Sequence, residues 1–127
     1  MTENIKLLVL KQTPDEYLIG RVTELDEEPS LLVEECFKIV ECAEYGPDPE
    51  DIEKRAHSLE GTHVKISARK IDEGASDKDW YVYEYIIFSE YPKFSTQRDI
   101  FLTSEAVFSI LDPKEDVLNL YLNKTGN

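Results

Sequence analysis

Cysteine, histidine and cationic residues are all scarce in this chain, and each scarcity excludes something. The two cysteines, Cys36 and Cys42, fall six residues apart in one strand-like segment. That spacing holds them roughly 20 Å apart along an extended strand, beyond the reach of a disulfide. Reduced thiols follow. The two histidines, His57 and His63, leave little from which to build a metal centre. Glu53 and His57 share a helical i, i+4 spacing and Glu60 lies near His63, but no metal ligand set is complete, and no metal or cofactor is expected. A Gly-rich phosphate loop, a nucleophile elbow and a Cys–His pairing signal are all missing, so the chain is read as non-enzymatic. Lys and Arg number 14 against 27 Asp and Glu, for a net charge of −13 over 127 residues. Nucleic acids are bound by releasing counterions to cations, so this balance argues against a broad nucleic-acid footprint. No apolar run nears the about 18 residues of a membrane span. The start, MTENIKLLVL, lacks the basic end and long apolar stretch of a signal peptide, and a cytoplasmic location is expected.

What the chain does have is strand-like segments in quick succession. Ile5 to Leu10, Tyr17 to Leu25, Leu31 to Val40, Thr62 to Ile71, Trp80 to Phe88, Asp99 to Leu102 and Ala106 to Ile110 all carry β-type patterns. Gly20 inside the second implies a bend or a close backbone approach. Glu35 interrupts an apolar parity that runs through Leu31, Val33, Phe37 and Ile39, which predicts a bulge near it. Residues 41–61 form an acidic surface insertion, with a short helix expected from Asp48 or Pro49 through Leu59. Asp112, Pro113 and Glu115 predict a helix over 112–125, with Asp112 as its N-cap and Gly126 as its end. Short connections and the need to protect strand edges point to a mainly β single domain over 1–127. Its expected form is a strongly bent, five-stranded antiparallel barrel closed by a C-terminal helix.

The stretch YLIGRVTELDEEPSLLV (residues 17–33) resembles the first motif of the Sm and Sm-like (LSm) proteins. Gly20, Val22, Leu25, Asp26, Pro29, Ser30, Leu31 and Val33 occupy its framework positions. Phe101, Leu102, Thr103, Ser104, Val107 and Ile110 keep the frame of the second motif. The chain is most similar to the divergent Sm-like group of marine phage (cyanophage-type) origin, which would place it in the cytoplasm of a host cell. The resemblance implies an SH3-type barrel and a homo-oligomeric ring built by strand pairing between subunits. Tyr81, Tyr83, Tyr85 and Ile87 on one strand, with Ala106 and Phe108 on the other, are the implied interface residues.

The family also implies binding of single-stranded, uridine-rich RNA, by positions that correspond here to Asp26, Pro29, Ser30, Thr103 and Ser104. Four of these depart from the pattern. Pro29 offers no aromatic face, Ser30 replaces the base-reading Asn, and Thr103-Ser104 replaces Arg-Gly. A basic strip at Lys65, Arg69 and Lys70 beside Tyr83 and Tyr85 fits a sequence-tolerant single-strand surface, or simply a solvated strand face. The acidic clusters fit a basic protein partner, or solubility alone. A binding or scaffolding ring, with RNA or with protein as its ligand, is the functional expectation.

Overall fold

A computed structural model describes residues 3–59, 61–72 and 79–126. It contains seven strands: β1 (Ile5–Leu10), β2 (Thr13–Glu24), β3 (Leu31–Gly46), β4 (His63–Asp72), β5 (Trp80–Glu90), β6 (Ile100–Leu102) and β7 (Val107–Leu111). Two helices, α1 (Pro49–His57) and α2 (Glu115–Thr125), and a 3-10 turn at Ser104–Ala106 complete the described elements. The expected turn after Asp72 lies outside the described residues. The strands form one antiparallel sheet in the order β4-β5-β3-β2-β1-β7, with β6 also pairing β3. This corrects the expectation of a closed five-stranded barrel: the order has two ends, β4 and β7, and the sheet is not closed. The reason lies in β3, which runs for 16 residues to Gly46 and carries the pairing on to β5 and β4.

The chain divides into two compact units, Met1–Ile39 with Phe88–Asn127, and Val40–Ile87. In the first unit the strand order is β6-β3-β2-β1-β7. Its register shifts where Ile19 faces Phe37 but Arg21 faces Glu34, so Glu35 and Cys36 stand opposite Gly20 alone. This is the bulge that the parity break at Glu35 anticipates, and Glu35 takes a φ of 49° there. Glycine is needed opposite it, because a Cβ at position 20 would come within 2.5 Å of Val33 Cγ1 and 3.1 Å of the Glu34 carbonyl.

An extra residue also reverses which side chains face the core. Leu31 and Val33 are buried and the next buried residue is Cys36, which packs with Leu8, Leu18 and Val33. Phe37 was expected on that face. It turns instead to the other one, against Phe88 and Tyr121, each at a ring separation of 6.1 Å. Tyr121 of α2 donates its hydroxyl to the carbonyls of Glu35 (2.8 Å) and Glu34 (3.3 Å), securing the helix to the bulge. The start of α2 is a second correction. Lys114, not Asp112, is the N-cap and makes no side-chain cap bond, an ammonium having no acceptor to offer. Asp112 lies two residues earlier and pairs with Lys6 of β1. Gly126 ends the helix at a φ of 80°.

In the second unit α1 starts as expected. Asp48 accepts a hydrogen bond from the Glu50 N–H at 3.0 Å, and Pro49 occupies the first position. The helix ends at His57, two residues short of Leu59. Ile52 and Ala56 are buried against Tyr83 and Tyr85 of β5. Arg55 ties the helix to the end of β3, donating to the Tyr45 carbonyl at 2.8 Å. Here β5 is an interior strand, with β4 on one side and β3 on the other.

Candidate functional site

The two loops singled out by motif spacing meet in the first unit. Residues 25–30 join β2 to β3 and are closed by a hydrogen bond from the Leu25 N–H to the Ser30 carbonyl at 2.7 Å. Across from them, Ser104 opens the 3-10 turn that leads into β7. The Glu28 carboxylate joins the loops, accepting from the Ser104 N–H at 3.1 Å and the Ser104 hydroxyl at 2.8 Å. Hydrogen bonds from Ser30 and Ser104 hold the Glu28 carboxyl below the usual carboxylate range. Asp26, Pro29 and Thr103 are exposed around this junction and Ser30 is half-buried. Glu28 is the residue that sequence reasoning missed, since a run of three acidic residues in a turn reads as solvated surface.

Beside the junction lies a shallow groove of about 390 Å³, lined by Glu24, Ser30, Leu31, Ser104 and residues 107–110 of β7. One wall is apolar and open: Phe108 is 67% exposed and Ile110 is 43% exposed. Chemically the junction is poorly suited to an anion. Its backbone donor at Ser104 already serves a carboxylate, and a second negative group would meet Glu28 and Glu24. A sheet edge with apolar side chains beside it suits an added strand.

In the second unit the three cations of the basic strip lie on β4 and are exposed. Arg69 pairs with Glu84 at 3.0 Å and Lys70 with Asp79 at 3.2 Å. The Lys65 ammonium lies 5.8 Å from the centre of the Tyr83 ring. Tyr83 and Tyr85 themselves are buried beneath α1, and desolvation raises both phenols. Their rings are therefore covered by the chain's own helix. Tyr81 and Ile87 are half-buried, as is Ala106 in the first unit, while Phe108 projects from β7.

The two histidines come together as an edge-to-face pair, ring centres 5.5 Å apart. His57 Nε2 lies 3.4 Å from Glu53 and His63 Nδ1 lies 3.1 Å from the Leu59 carbonyl. Glu60 lies outside the described residues. Among the described residues no group of three His, Cys, Asp or Glu is placed to hold a metal ion. Both cysteines are free thiols. Burial pushes Cys36 up to about 12 and also raises Cys42, so neither is a ready nucleophile. Among the described residues no helix is long and apolar enough to cross a membrane.

Comparison with known protein families and with curated proteins returns no match for this chain.

Proposed function

We propose that this chain is a non-enzymatic, self-associating scaffold of Sm-like, SH3-type construction, working through protein contacts. The observation that carries the reading is β7: a strand at the end of the sheet order, without a charged residue, whose Phe108 and Ile110 stand open to solvent. An apolar strand edge left open is an aggregation hazard unless a partner covers it. The SH3-type assignment is supported by the order β6-β3-β2-β1-β7 and by the 3-10 turn that joins β6 to β7. Association of unlike edges generates a ring when the rotation closes.

A second reading, a ring that binds single-stranded RNA, is favoured by the meeting of Ser30 and Ser104 at one junction. The Glu28 carboxylate in that junction and the net charge of −13 weigh against it. Light scattering across a size-exclusion peak, with nucleic-acid absorbance read over the same fractions, separates the two. A species of several chains free of nucleic acid is the expected result. A monomer at every concentration tested would overturn self-association. Retention of oligo-uridine that weakens steeply with salt would move the assignment to RNA.

A further inference from the structure

We propose that the outer edge of β4 is the acceptor for β7 of a second copy, so that chains associate head to tail. This rests on the self-association proposed above and names the surface that completes it. The sequence offered β5 as the strand to meet β7, but both its edges are filled, by β4 and β3. Besides β7 the end strands are β6, of only three residues, and β4, of ten, so β4 is the long bare edge. None of residues 63–71 is buried, Ile66 is 55% exposed and Ile71 is 41% exposed. A strand segment of which no residue from 63 to 71 is buried gains little from folding unless something covers it.

The shape of β4 limits what can pair with it. Its register with β5 shifts between Lys65 and Ser67 and again between Lys70 and Asp72. These two irregularities make most of the edge a poor template, which is how natural sheets discourage indiscriminate pairing. Between them, residues 67–70 remain regularly paired. A short regular segment suits a short donor, and β7 has five residues.

Charge then selects among the edges available. Within β4, Lys65, Arg69 and Lys70 are exposed on a chain dominated by acids. Around β7 the charges are acidic: Glu105 precedes it and Glu24 lines the groove beside it, while Asp112, which follows it, is paired with Lys6 of β1. Pairing β7 with β7 would bring two acidic rims together, and pairing β4 with β4 would bring two cationic strips together. Pairing β4 with β7 is the combination that sets opposite signs face to face. The ion pairs that Arg69 and Lys70 make with Glu84 and Asp79 are exposed and readily exchanged.

The test uses two full-length variants, each spoiled on one edge. One carries Lys65→Glu, Arg69→Glu and Lys70→Glu on β4; the other carries Phe108→Asp and Ile110→Asp on β7. By light scattering, each alone is expected to lose the assembled species. An equimolar mixture is expected to return a species of two chains and no more, because each copy keeps one intact edge. Wild-type assembly by the β4 variant would overturn this inference and leave self-association standing, whereas a monomeric wild type would overturn both. A second measurement guards against a variant that fails to fold. Copies with Arg69→Cys and with Ile110→Cys, mixed and oxidised, are expected to form a disulfide between unlike copies. Crosslinks only between like copies, or none, would overturn the pairing. Cys36 is fully buried and does not compete, and the half-buried Cys42 is removed by Cys42→Ser in both copies.

Discussion

Tyr121 joins α2 to β2, β3 and the end of β5 within the first unit. Its ring packs on Phe37 and Phe88, the Arg21 guanidinium lies 5.8 Å from its centre, and its hydroxyl serves two carbonyls at the bulge. Burial raises the phenol well above its ordinary range, with the Glu35 carboxylate acting in the same direction and Arg21 opposing. The sign follows from which form the fold prefers. The neutral phenol is favoured in the folded chain, so its contribution is complete below the unfolded value of about 10. It is lost as pH rises through the higher folded value. Tyr121→Phe is therefore expected to cost about 1 kcal/mol at neutral pH through the lost hydrogen bonds. Above pH about 10 the variant should lose stability less steeply than the wild type. Urea melts at a series of pH values would check both. Equal slopes for the two proteins would mean that Tyr121 is not the group that titrates.

At the scale of elements, two helix starts that look alike in the sequence prove different. Both read Asp-Pro, at positions 48–49 and 112–113. Asp48 caps α1, while Asp112 lies two residues before the N-cap of α2 and pairs with Lys6. Asp48→Ala is expected to cost about 1 kcal/mol, and Asp112→Ala no more than about 0.5 kcal/mol, as for an exposed ion pair. Hydrogen exchange at α1 should register the first change. Equal costs would show that the two aspartates do the same work. The contrast marks what was legible beforehand. Although β2 starts at Thr13 rather than Tyr17 and β3 runs on to Gly46, into the expected insertion, most strand positions, the α1 cap, the bulge at Glu35 and the need for Gly20 are local, written in alternation and turn residues. What a side chain meets across the fold is not: Lys6 is 106 residues from Asp112. The same holds for β5. Its apolar faces fit a neighbour from another chain or from its own, and the chain's own β4 and α1 supply it. Phe37 was misplaced for a related reason, since a bulge foreseen at Glu35 shifts the parity of every residue after it. At the candidate junction the motif spacing found Ser30 and Ser104, but the Glu28 side chain that joins them carried no signal of its own.

The whole molecule carries two opposed electrostatic terms, and their different ranges make a testable curve. Each copy bears a net charge of −13, so two copies repel at long range. At the proposed contact the strip of Lys65, Arg69 and Lys70 meets the acidic surroundings of β7, and that attraction acts at a few ångströms. The screening length is about 30 Å at 0.01 M salt, about 10 Å at 0.1 M and about 3 Å at 1 M. Raising salt from the lowest value therefore removes the repulsion first, while close charges still feel each other. Further salt then weakens the contact itself. Average mass by light scattering, at one protein concentration, is expected to rise towards about 0.1 M salt and to fall again towards about 1 M. A contact made only of Phe108, Ile110 and their apolar neighbours would lack the second phase, because salt does not weaken apolar burial. Mass that climbs steadily with salt would thus count against β4 as the acceptor while leaving the open edge of β7 to be covered by another partner.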